Sequence, residues 1–76
     1  MFLTSKPLEI ARLRIEAGYS IRELGERSGL NPSTIFKMEY SAQKARPKTA
    51  KAISDALKVS LYDLFTIHSK EVNTHE

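Results

Sequence analysis

Leucine, isoleucine and alanine recur through this chain at intervals of three and four residues, the spacing of one helix face. Ile10, Leu13 and Ala17 form one such stripe, with Arg14 on its edge, and predict a first helix from Pro7 to Ala17 that stops at Gly18. Leu8, Ala11 and Ile15 form a second stripe on nearly the opposite side. A helix with two apolar sides needs cover on both. Phe2 and Leu3, or Ile67 and Val72, are the expected cover. A second copy of the chain is the rival, ranked behind because intramolecular cover costs less entropy than association.

The second helix is predicted to open at Ser20, where SIRE fits a capping box: the serine hydroxyl accepts a backbone N–H and Glu23 reaches back. Ile21, Leu24 and Ser28 share its inner face. Gly25 sits inside this helix, at a cost of about 1 kcal/mol relative to alanine. Close approach of another helix would explain it, since a side chain there would collide. Gly29 ends the helix in the left-handed conformation open to glycine. Leu30 follows as an apolar plug, Asn31 caps a third helix, and Pro32 takes its first position. So short a turn sets two helices at a steep angle.

On the third helix Ile35 and Met38 face inward, while Ser33, Phe36, Lys37 and Tyr40 have the i, i+3, i+4, i+7 spacing of the opposite stripe. Glu39 lies beside the buried side and needs a partner there; Arg14 is the candidate. A polar loop, SAQKAR, leads to Pro47. A fourth helix carries Ala50, Ile53, Ala56 and Leu57 inward. A fifth opens with the capping pattern SLYD at Ser60 and contributes Leu61, Leu64 and Phe65. No segment shows the two-residue alternation of a strand. The expectation is a compact all-α bundle of five helices spanning 1–67, followed by a polar, disordered tail, 68–76.

Composition narrows the possibilities. Seventy-six residues make one small domain with a single modest core. The absence of cysteine excludes a disulfide framework and a thiolate metal site. No apolar run is long enough to span a bilayer and nothing resembles a signal peptide, so a cytoplasmic location is expected. His68 and His75 have no metal-site spacing and are assigned no role. No metal, cofactor or small-molecule ligand is expected. The net charge is a mild +3, but between Phe36 and Lys58 six basic residues (Lys37, Lys44, Arg46, Lys48, Lys51, Lys58) face two acidic ones (Glu39, Asp55). Such an excess attracts a polyanion.

The outer stripe of the third helix therefore decides the function. Small polar groups, one cation and two aromatic rings on a short helix suit the major groove of DNA, which is about 12 Å wide and admits one helix. Ser33 can bond a base edge or a phosphate, Lys37 a guanine or a phosphate. Phe36 can touch a thymine methyl, and Tyr40 suits a phosphate or sugar. The plain alternative for Phe36 is packing against the following loop or the fourth helix. For Tyr40 the expectation is partial burial with its hydroxyl outward.

Residues 8 to 65 resemble the Cro/C1-type helix-turn-helix proteins, the XRE family. The resemblance rests on ARLR, on SIRELGERSGLNPSTIFKME and on KTAKAISDALKVSLYDLF, in order and at the family's spacing. It implies a lambda-repressor-like DNA-binding domain whose helix-turn-helix is formed by the second and third helices. It further implies an Arg14–Glu39 salt bridge, and sequence-specific binding of double-stranded DNA by a transcriptional regulator, as a repressor. By position the base-reading candidates are Asn31, Pro32, Ser33, Thr34, Phe36 and Lys37. The phosphate candidates are Ser20, Ile21, Arg22, Tyr40, Ser41, Gln43 and Lys44. Ile21 stands where the family often has glutamine, Pro32 where many relatives are polar, and the usual glycine after Glu39 is missing. Homodimerisation through the fifth helix, with Leu61, Tyr62 and Phe65 at its edge, would set two recognition helices one DNA turn apart, about 34–36 Å. The rival function is a protein-interaction module, such as the antitoxin of a toxin–antitoxin pair. An enzyme is the weakest reading: no cysteine nucleophile, no histidine placed as a base and no glycine-rich phosphate loop is present.

Overall fold

The computed structural model describes residues 2–68. The chain enters as a strand, β1 (Phe2–Ser5), followed by α1 (Pro7–Glu16), α2 (Ile21–Ser28) and α3 (Pro32–Tyr40). A two-residue strand, β2 (Lys44–Ala45), precedes α4 (Pro47–Leu57) and α5 (Leu61–Leu64), and β3 (Phe65–His68) closes the described chain. The helices lie where the apolar periodicity places them. The three strands correct the all-α expectation: β1 is the centre of a small antiparallel sheet of order β2-β1-β3.

The register pairs Leu3 with Ala45 and Ile67, and Phe2 with His68. His68, placed in the tail by its polarity, thus belongs to a strand; the remainder of that expected tail, with Val72, lies outside the described residues. Phe65 is likewise not helical. α5 stops at Leu64, and Phe65 turns to extended backbone with its ring buried in the core.

The core gathers Leu3, Ile10, Leu24, Ile35, Met38, Ala50, Ile53, Leu57, Leu64 and Phe65. Every element except β2 therefore contributes at least one buried side chain to it. Ala17 is a correction: it caps α1 rather than continuing it, and is exposed. The cover expected for the outer stripe of α1 is also absent among the described residues. Leu3 goes into the core instead, leaving Leu8 83% and Ile15 64% exposed.

Local rules set the geometry of α2 and α3. The Ser20 hydroxyl accepts from the Glu23 N–H at 3.0 Å, and a Glu23 carboxylate oxygen accepts from the Ser20 N–H at 2.9 Å. Gly29 ends α2 at φ 74°, so the chain turns within three residues into α3. The Leu30 N–H then bonds the Gly25 carbonyl at 2.9 Å. A Cβ on Gly25 would meet the Leu30 backbone oxygen at 2.8 Å and the Pro32 nitrogen at 3.4 Å. The close approach comes from the turn and the first residue of α3. Both obstacles are backbone, so neither can swing aside. Gly25→Ala should consequently lose about 1–2 kcal/mol, because overpacking outweighs the gain in helix propensity. Thermal unfolding followed by circular dichroism checks this; an unchanged or higher Tm would show that the turn yields.

Candidate nucleic-acid interface

α3 is held from its inner side at several independent points. Ile35 and Met38 are buried. The Arg14 Nε donates to one Glu39 carboxylate oxygen at 2.6 Å and a terminal nitrogen donates to the other at 3.0 Å, a two-pronged pairing. The other terminal nitrogen of Arg14 donates to the Tyr19 carbonyl at 2.8 Å. The hydrogen bonds from Glu39, with its charge adding to them, hold the guanidinium pKa above its ordinary value against the opposing effect of burial. The two side chains are only 14% and 9% exposed, so the pair fixes α1 against α3.

The far end of α3 is tied to the sheet by Ser5, which the sequence reading passed over. Its hydroxyl accepts from the Gln43 N–H at 2.9 Å and lies 3.3 Å from both the Met38 and Ser41 carbonyls, so its single proton can serve either. The Ser5 N–H in turn donates to the Gln43 carbonyl at 2.9 Å. A serine on the inner face of a strand is the one available signal, since a buried hydroxyl needs partners.

With its inner side fixed, α3 presents Ser33, Phe36, Lys37 and Tyr40 to solvent. Phe36 is 54% and Tyr40 80% exposed, so neither packs into the protein, and the expected partial burial of Tyr40 is corrected. Their rings stack on each other instead, centroids 5.9 Å apart and planes 19° from parallel. Asn31 caps the helix: its side-chain oxygen accepts from the Ser33 N–H and from the Ser33 hydroxyl, both at 3.0 Å. That bond spends the Ser33 proton. Its hydroxyl is left as an acceptor, suited to a base amino group and not to a phosphate, which itself only accepts. Pro32 is exposed and has no N–H to offer, and Thr34 is half-buried beside the stripe.

The other candidates divide. Ser20 and Arg22 are exposed at the start of α2, where the capping box uses the Ser20 and Glu23 N–H groups and leaves those of Ile21 and Arg22 for an anion. Ile21 is half-buried against the core, so only its backbone can serve. Ser41 and Gln43 are half-buried and bonded to each other, amide to hydroxyl at 2.7 Å. Lys44 lies in β2 with its ammonium 4.9 Å from the Phe2 ring centroid. The polar segment expected as loop after α3 is therefore partly strand.

The local basic excess is sharper in three dimensions than in sequence. Glu39 is taken by Arg14, and Asp55 by Lys51 at 2.6 Å. Among the described residues, Lys37, Lys44, Arg46, Lys48 and Lys58 are exposed cations with no carboxylate partner. Also among the described residues, no group of three or more histidine, cysteine or carboxylate side chains is placed to hold a metal, and no helix is long and apolar enough to cross a membrane.

A family model described as helix-turn-helix matches residues 10–64, well over half of the chain. The chain belongs to the Cro/C1-type helix-turn-helix, or XRE, family. This is a family of DNA-binding transcription regulators, and its defining pair of helices is α2 and α3 here. No curated protein matches the chain. Among solved structures it is similar to a mutant of hydroxyethylphosphonate dioxygenase, with a TM-score of 0.71 and 18% identity. The match covers 86% of this chain and 14% of that one, so this chain spans a small part of the dioxygenase. At that identity the likeness shows the fold alone.

Proposed function

We propose that this helix-turn-helix protein is a sequence-specific repressor that lays α3 in the major groove of its operator. The observation that carries the reading is the two-sidedness of α3. Its inner residues are locked by Glu39, Met38 and Ile35, while Ser33, Phe36, Lys37 and Tyr40 face water with no partner in the core. Lys37 reads a guanine, Ser33 accepts from a base amino group, and the Asn31 amide nitrogen donates. Arg22, the first N–H groups of α2, Lys44 and Arg46 hold phosphates and set the register. Two copies on a palindromic site, meeting along α5 at Leu61 and Tyr62, place their recognition helices about 34–36 Å apart. Phe65 takes no part in that contact, because its ring is inside the core.

Selection of bound duplexes from a random pool tests this. An enriched palindromic motif is expected. Lys37→Ala should cost about 1–3 kcal/mol on that motif and relax preference at one position per half-site. A uniform loss on every sequence would make Lys37 a phosphate contact. No enrichment at all would remove the proposal.

The exposed Leu8, Ile15 and Tyr62 favour a second reading, a protein-interaction module of the antitoxin kind. The salt dependence of binding separates the two. Groove binding weakens steeply as salt rises, through release of counterions, whereas an apolar protein contact barely changes.

A further inference from the structure

Asn31, Pro32 and Ser33 open α3, and the hydrogen bonds there are largely used. The Asn31 oxygen accepts twice from Ser33, and Pro32 has no N–H. The polar readout left in that turn is the Ser33 oxygen as an acceptor and the Asn31 amide nitrogen as a donor. Further along the same face the chemistry changes. Phe36 and Tyr40 stack into one apolar slab, with Phe36 more than half exposed and its ring supported from the C-terminal side by Tyr40. Neither ring contributes to the core.

The major groove displays one alkyl group, the methyl on C5 of a pyrimidine; the rest of its code is written in hydrogen-bond donors and acceptors, with only small C–H edges between them. A phenyl face held on a groove-facing stripe has that methyl as its matching partner. Resting on the groove reading above, we infer that Phe36, positioned by Tyr40, reads a pyrimidine C5-methyl group. The operator then carries a thymine at a fixed place in each half-site, and 5-methylcytosine supplies the same methyl there. Binding of this protein is thereby sensitive to cytosine methylation at that place.

The test uses the full chain and the duplex enriched by selection, with affinity read by fluorescence anisotropy. Each thymine is replaced in turn by deoxyuridine, which removes the methyl and nothing else. One position per half-site should weaken binding about fourfold, the worth of burying one such carbon. At that position a C·G pair should bind better by a similar factor when its cytosine is 5-methylated. Both effects should vanish in Phe36→Ala and persist in Phe36→Leu, which keeps an apolar side chain. Phe36 is exposed enough that both variants should melt like the parent. A selected motif indifferent to every deoxyuridine overturns the methyl reading and leaves groove binding standing. A methyl effect that survives in Phe36→Ala assigns the methyl to another side chain and also overturns it. Failure to bind any duplex selectively removes both.

Discussion

Glu39→Ala should lose about 3–5 kcal/mol of stability, the usual cost of stranding one member of a buried ion pair. For a chain of this length the whole stability is about 4–11 kcal/mol, so the variant will be marginal or unfolded at physiological temperature. The reason is geometric. The Arg14 guanidinium is mostly out of water and keeps only the Tyr19 carbonyl once Glu39 is gone. Two charge-assisted hydrogen bonds and their electrostatic counterpart go together. The same change unfastens α3 from α1 at the very residue that separates its inner and outer faces. Urea denaturation measures the loss. A double variant, Arg14→Met with Glu39→Leu, should recover most of it, because an apolar pair leaves no charge stranded. A loss under about 1 kcal/mol in Glu39→Ala would instead class the pair with exposed ones, whose typical worth is that small.

How much of this was legible in the sequence depends on the length over which each signal runs. α2 and α3 carry their own punctuation: Ser20 with Glu23 at the start, Gly29 at the end, Asn31 and Pro32 at the next beginning. Those signals act within four residues and need no tertiary context. The Arg14–Glu39 pair was legible for another reason. Both charges fall at the edge of apolar stripes, where only a partner makes them tolerable.

The sheet was hidden because its strands have four, two and four residues, too few for alternation to stand out. In β1 the inner positions are Leu3 and Ser5, so a polar residue occupies an apolar slot and breaks the pattern. The buried serine makes sense only once its partners Met38 and Gln43 are in place, 33 and 38 residues away. α4 ends in the left-handed conformation at Lys58, φ 59°, with no glycine to announce the stop.

The outer stripe of α3 follows from spacing alone. Its chemistry does not. The Asn31–Ser33 bond that spends the serine proton, and the ring stack at Phe36 and Tyr40, depend on rotamers that spacing leaves open. Lys44 shows the limit most plainly: resemblance gives it a phosphate-contacting place, but its position in β2 with its ammonium 4.9 Å from the Phe2 ring centroid could not be read from spacing.

Phe65→Ala brings these threads together, with an expected loss of about 3–5 kcal/mol from the cavity left by a buried ring. At 1% exposure Phe65 is the largest fully buried side chain. It also begins β3, where its backbone pairs with Ser5. Next to it the Lys6 N–H donates to the Leu64 carbonyl at 2.8 Å, joining the start of α1 to the end of α5. Ser5 in turn holds the Gln43 amide and the end of α3. Emptying the Phe65 site therefore loosens the sheet from the helices, and through Ser5 it reaches the recognition helix without touching its outer face. Phe65→Leu should lose less than half as much, since leucine refills most of the space. Hydrogen exchange locates the damage: the amides of Ser5 and Gln43 should lose protection in Phe65→Ala under conditions where those of α2 keep theirs. If protection falls equally everywhere, the sheet and helices unfold as one unit, and Ser5 does not tie α3 to a separable element.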